Sequence, residues 1–177
     1  MKLLEARRAL WLERERGWAR WLNRAAERPA LVMLLGVVSW LADGPLWYAL
    51  VAALPWWGGP AGPFCALRML LVGSLNLSIY KLLKPRIARP RPYVGCPGIR
   101  ACARSLDEFS FPSGHVMHAV AFSVLIGAAY PPFVAAAWLF TLLVALSRVV
   151  LGLHYPSDVA FGAAIGLIGA ELVQLVV

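Results

Sequence analysis

Within SRVVLGLHYPSD, residues 147–158, an arginine, a histidine and an aspartate recur against the end of an apolar run. Two further polar groups precede it: Lys84 and, after six intervening residues, Arg91-Pro92, and Pro112-Ser113-Gly114-His115 at the head of another apolar run. As patterns these read K-x6-R-P, P-S-G-H and S-R-x5-H-x3-D. Lys84, Arg91 and Arg148 supply three cations, and the two guanidinium groups offer the planar fork that suits phosphate oxygens. Ser113 and Gly114 fall at a predicted helix start, where free backbone N–H groups and the helix dipole favour an anion. Such a set fits phosphoryl transfer, a reaction catalysed mainly by positioning the group and neutralising its oxygens.

The remaining groups complete a covalent route. A neutral His154 imidazole is nucleophilic near pH 7, and Asp158 would hold its other nitrogen and stabilise the charged phosphohistidine. His115 would protonate the departing alcohol oxygen and then activate water. The spacing of His154 and Asp158 admits an i, i+4 pair if a helix starts before Pro156, or a turn if it does not. With no Asp/Glu cluster and no His/Cys ligand spacing, neither a metal nor a cofactor is expected.

Taken singly, each residue has an ordinary explanation: Lys84 or Arg91 as a snorkelling cation, Arg148 as a span-end anchor, Asp158 as a helix-start carboxylate. As a set, ionisable groups inside a membrane bundle read as functional. His118, one turn beyond His115, matches no motif and is expected to pack or support. Arg86, Arg89, Arg100 and Arg104 either attract a phosphate headgroup or are solvated, and Asp107 and Glu108 are expected to cap or face water.

The elements that must carry these groups follow from composition. In 177 residues, 60% are hydrophobic, 15% charged, and the mean hydropathy is +0.68, which places the chain in a bilayer. Residues 64–83, 115–130, 133–151 and 159–177 each approach the ~20 residues of a spanning helix, and 41–57 makes a fifth span. Leu31–Leu41, at ~16 Å, is too short and is expected to lie in the interface. Gly162, Gly166 and Gly169 form a small-residue face that either permits close helix packing or is simply lipid-compatible. In the first 28 residues, Leu3, Leu4, Leu10, Trp11, Trp18, Trp21, Leu22 and Ala25 recur at helical spacing between Arg and Glu, without the apolar core of a signal peptide. That is an amphipathic helix on the membrane surface, or one contacting a partner chain. The expected fold is an all-α integral membrane protein of about five transmembrane helices. It forms one domain over 1–177, with interfacial helices in 1–40 and the catalytic bundle in 41–177.

Together, in this order and each beside a predicted span, the three motifs resemble the type 2 phosphatidate phosphatase superfamily of membrane lipid phosphatases, related to acid phosphatases and vanadium haloperoxidases. The resemblance runs from about residue 41 to the end, and all three motifs match without departure. It implies a small bacterial-type member with the roles given above for His154, Asp158 and His115, and phosphate binding by Lys84, Arg91, Ser113, Gly114 and Arg148. It further implies metal-independent hydrolysis of a polyprenyl phosphate or diphosphate, phosphatidate or phosphatidylglycerol phosphate, releasing inorganic phosphate. A lipid-to-lipid phosphotransferase using the same phosphohistidine stays open, as does a non-catalytic binder, although a binder would not need His154 and Asp158. The expected partners are a membrane lipid and the bilayer, not nucleic acid, with the oligomeric state open.

Of the 17 Lys and Arg, all but Arg68 fall in residues 1–28 or on the motif face, so the positive-inside rule puts that face in the cytoplasm. Many bacterial members of the resembled family carry their site on the other face. Cys96 and Cys102 stand close enough to pair in an oxidising compartment and would be free thiols in the cytoplasm, while Cys65 packs in or near a span.

Overall fold

Prolines open four of the helices, as expected where the missing N–H is an orphan in any case. The computed structural model describes residues 2–105 and 107–177, with the side chains of Lys2, Leu3, Leu4, Ala6 and Arg8 outside the description. Its helices are α1 (Lys2–Asn23), α2 (Pro29–Ala42), α3 (Pro45–Trp57), α4 (Gly62–Ile87), the short α5 (Pro92–Gly95), α6 (Gly114–Ala129), α7 (Val134–Val150) and α8 (Pro156–Val176).

The fold is an all-helical membrane bundle centred on α6, which packs against α4, α7 and α8. Met69 and Val72 of α4, Val116 and Leu125 of α6, Val144 of α7 and Ala170 of α8 are buried at its core. Trp47 of α3 closes one side edge-to-face on Phe122, ring centroids 4.9 Å apart. Outward-facing positions carry Trp56, Trp57, Phe64, Leu139, Ile168 and Leu172, an apolar perimeter suited to lipid.

Three helical segments among the described residues are long and apolar enough to cross a bilayer alone: Gly59–Ile87, Pro131–Val150 and Pro156–Val176. At 16 and 13 residues, α6 and α3 are also apolar but shorter than the ~20 residues of a full span. The expected helix over 41–57 is interrupted: α2 continues to Ala42, the chain turns at Asp43-Gly44 with Gly44 at φ +143°, and α3 starts at Pro45. That break sets Asp43 at the end of the bundle that also holds the motifs.

The N-terminal helix divides its surface unexpectedly. Leu10, Trp11, Trp18 and Trp21 are exposed, as a membrane-surface helix requires, but Glu15, Ala19 and Asn23, four residues apart, are buried against the bundle. The Asn23 amide donates to Arg100 O at 3.0 Å and Val150 O at 2.9 Å and accepts from Arg100 N–H at 2.9 Å, fastening α1 to the motif end. The chain then bends by 110° into α2.

Candidate active site

Each motif sits where a helix starts or stops at one end of the bundle. Lys84 lies in the last turn of α4, after which Ala88 takes a left-handed conformation (φ 46°) and turns the chain into Arg91. Ser113 precedes α6, and its N–H donates to Asp158 O at 3.1 Å, joining the starts of α6 and α8. Gly114 is required by close approach, since a Cβ there would lie 2.9 Å from the Tyr80 ring. Arg148 closes α7, and its carbonyl accepts from the N–H groups of Leu153 and His154 at 3.1 and 3.0 Å, folding the turn back. Gly152 makes that turn at φ +77°, with its open side against Arg100 O. Because α8 begins at Pro156, His154 precedes the helix, and its relation to Asp158 is a turn rather than a helical i, i+4 pair.

Lys84, Arg91, Arg148, Ser113, His154 and Asp158 are all buried. Arg91 Nη1 donates to Leu153 O at 2.9 Å and stands 3.4 Å from His154 Nε2. His154 Nδ1 is 3.8 Å from Asp158 Oδ2. Burial, and then the charges of Arg148, Arg91 and Lys84, hold the His154 imidazole neutral well below its ordinary titration range. Arg148 donates to Ser39 Oγ of α2. His115 Nε2 lies 3.4 Å from Asp43 Oδ1, so the α2–α3 break supplies that histidine's carboxylate. Arg148 Nε, Ser113 Oγ and His154 Nδ1 are buried without a hydrogen-bond partner, three unmet polar atoms in one motif set.

Other neighbours were not legible in the sequence. Asp107, expected to cap or face water, accepts from Phe109 N–H at 3.1 Å and also sits among the cations: its Oδ1 accepts from Lys84 Nζ at 2.5 Å and Arg91 Nη2 at 3.0 Å, and its Oδ2 from Tyr80 OH. Burial pushes its carboxyl up, but the bonds from Lys84 and Tyr80 and the nearby charges outweigh this and hold it below the usual range. Arg89 is no solvated headgroup attractor either, since its guanidinium bonds Asp158 and Glu15. Arg86 and Arg104 are exposed. His118 faces Gly114 O at 2.9 Å and Gly73 O at 3.3 Å, linking α6 to α4 outside the motif set. Cys65, Cys96 and Cys102 are free thiols, Cys96 being 3.3 Å from Tyr155 OH.

Beside His115 and Asp43 opens a cavity of about 380 Å³ between α3, α4 and α6, lined by Trp47, Val51, Met69, Leu70 and Leu77. The end of the bundle therefore combines an anion-seeking cluster with an apolar groove.

A model of the PAP2 superfamily matches residues 65–177. The decaprenylphosphoryl-5-phosphoribose phosphatase of Mycobacterium tuberculosis is 37% identical over 108 residues, covering 56% of this chain and 54% of that one. The chain thus spans about half the length of the curated relatives it matches. Among solved structures, the first transmembrane PAP2 type phosphatidylglycerolphosphate phosphatase from Bacillus subtilis superposes with TM-score 0.71 at 26% identity, over 90% of this chain and 84% of that one. LpxE of Aquifex aeolicus shares the fold, with TM-score 0.74 at 22% identity over 90% and 93% of the two chains.

Proposed function

The chain belongs to the PAP2 superfamily, and from that premise we propose that it hydrolyses a membrane lipid phosphate or diphosphate through a phosphohistidine. The observation that carries this reading is the burial of Lys84, Arg91, Arg148 and His154 at one end of the bundle, with Arg91 3.4 Å from His154 and with Ser113 Oγ and Arg148 Nε still unpartnered. Buried donors in that state favour an anion with several oxygens. The apolar groove beside His115 supports a lipid leaving group, as do the lipid substrates named for the relatives.

In this mechanism His154 Nε2 attacks phosphorus, forming the N–P bond as the P–O bond to the lipid alcohol breaks and His115 gives that oxygen its proton. Asp158 accepts from Nδ1–H and balances the charge that the imidazole acquires. Lys84, Arg91, Arg148, Ser113 and the Gly114 N–H hold the phosphoryl oxygens. Water, losing its proton to His115, then breaks the N–P bond and releases inorganic phosphate. No step calls for a metal, and among the described residues no three His, Cys, Asp or Glu side chains gather as a ligand set.

The chain, 1–177, acts in this reading as one domain, with 1–40 at the interface, 41–177 carrying the motifs, and the motif face turned to the cytoplasm. The test is phosphate release by the purified protein in detergent from a panel of lipid phosphates and diphosphates, with EDTA present and His154→Ala alongside. Release by the wild type only is expected. No release without an added lipid acceptor would favour a phosphotransferase, turnover by His154→Ala would remove the phosphohistidine, and reversible loss with EDTA would overturn metal independence.

A further inference from the structure

The Arg89 guanidinium reaches two carboxylates that are far apart in the chain. Nη1 donates to Asp158 Oδ1 at 2.6 Å and to Ser157 Oγ at 2.7 Å, while Nη2 donates to Glu15 Oε2 at 2.6 Å. The other Glu15 oxygen accepts from Ser157 N–H at 2.9 Å. The side chains of Glu15 and Asp158 are 2% and 0% exposed. A carboxylate so buried is costly unless it is both charge-paired and hydrogen-bonded, and Glu15, arriving from α1, finds both at the start of α8. Arg89 is held over the Tyr155 ring, 4.0 Å from its centre, which fixes the geometry of the fork. On its far side, Asp158 Oδ2 accepts from Tyr155 N–H at 2.8 Å and stands 3.8 Å from His154 Nδ1, too far for a hydrogen bond to that unpartnered nitrogen. Asp158 therefore stands between Arg89, which it bonds, and His154, which it faces across 3.8 Å, while Arg89 is shared between Asp158 and Glu15.

We infer that Glu15 is a positioning residue for phosphoryl transfer: by occupying one side of Arg89 it limits that cation's hold on Asp158, leaving the Asp158 carboxylate free to close on His154. The inference rests on the His154 reading given above. Without the Glu15 charge, Arg89 keeps a single counter-ion, and its attraction for Asp158 grows in the poorly screened interior. The contact that orients the imidazole and balances its charge then weakens. The amphipathic helix is thereby more than a surface anchor, because its inward face stands one guanidinium away from Asp158.

Glu15→Gln is nearly isosteric but keeps a single acceptor oxygen, so it removes the charge together with one of the two bonds, to Arg89 or to Ser157 N–H. Its kcat is expected to fall about tenfold, with KM within about twofold, and Glu15→Asp should recover most of the loss. Because the effect travels through Arg89, Glu15→Gln should add nothing in an Arg89→Gln background. Unchanged kcat, equal losses in the Gln and Asp variants, or losses that multiply in the double variant would overturn the inference. A second measurement needs no turnover. In protein labelled with 15N-histidine, the Nδ1 proton resonance of His154, assigned with His154→Asn, should move upfield in Glu15→Gln while those of His115 and His118 stay in place. An unmoved His154 resonance would count decisively against Glu15. Absence of phosphate release by the unaltered protein would remove the phosphatase reading, and the resonance would still decide whether Glu15 acts on the contact between Asp158 and His154.

Discussion

Lys84 and Arg91 meet the Asp107 carboxylate in the structure, and that carboxylate stands where an anion's oxygens would be drawn. Asp107 must therefore yield these donors or share them when a phosphoryl group enters. Asp107→Asn removes the competing charge and is expected to tighten competitive inhibition by inorganic phosphate about tenfold, ~1.4 kcal/mol. An unchanged or weaker inhibition constant would show that Asp107 orders the cations rather than competing for them. His154 gives a second prediction. Its depressed titration means that the neutral form persists below the ordinary pKa of 6.5, where an ordinary histidine would be about nine-tenths protonated at pH 5.5. The 15N spectrum of the labelled protein should show His154 still neutral at that pH, and a protonated ring would contradict it.

Between elements, the spacing of α6 and α8 matters most, because α6 begins with the P-S-G-H residues and α8 begins beside Asp158. A Cβ on Gly162 would lie 2.7 Å from Ser113 O and one on Gly166 2.3 Å from Met117 O, both main-chain atoms of the facing helix or its cap. The glycine face is thus a packing surface. Gly166→Ala should destabilise the protein by about 1–3 kcal/mol, lower its thermal midpoint, and reduce turnover by parting the two helix starts. Gly36→Ala is the control: nothing lies within 4 Å of its Cβ, so helix propensity alone predicts stabilisation of up to ~1 kcal/mol. Equal behaviour of the two variants in thermal unfolding would contradict the close α6–α8 packing.

Over the whole molecule, the motifs, the α2–α3 break and the inward face of α1 meet at one end, while Gly59–Ala61 and Pro131–Phe133 turn at the other. Basic side chains follow the first end, with Arg68 alone toward the second. In a cysteine-free background, Arg104→Cys should be shielded from a membrane-impermeant maleimide in intact cells and react after lysis, with Pro132→Cys behaving in the opposite way. The reverse pattern would put the site outside the cytoplasm.

Composition by itself determined that this chain belongs in a bilayer, because so large an apolar fraction cannot be hidden in a soluble domain of 177 residues. The three motifs by themselves pointed to the family, since His115, His154 and the three cations are distinctive in type and spacing. Tertiary structure alone decided which charges act together. Asp107 is 23 residues from Lys84, and Glu15 is 74 from Arg89; a charged side chain looks the same in sequence whether water or a counter-ion faces it. Helical periodicity placed the tryptophans of α1 on an outward face, but Glu15, Ala19 and Asn23 form a stripe too weakly apolar to announce burial. Likewise, Asp43-Gly44-Pro45 carried a visible break signal, yet only the folded chain brought that break to His115. Periodicity records the chemistry of each face, whereas the partner that covers a polar face is set by distant chain, through contacts that no local pattern encodes.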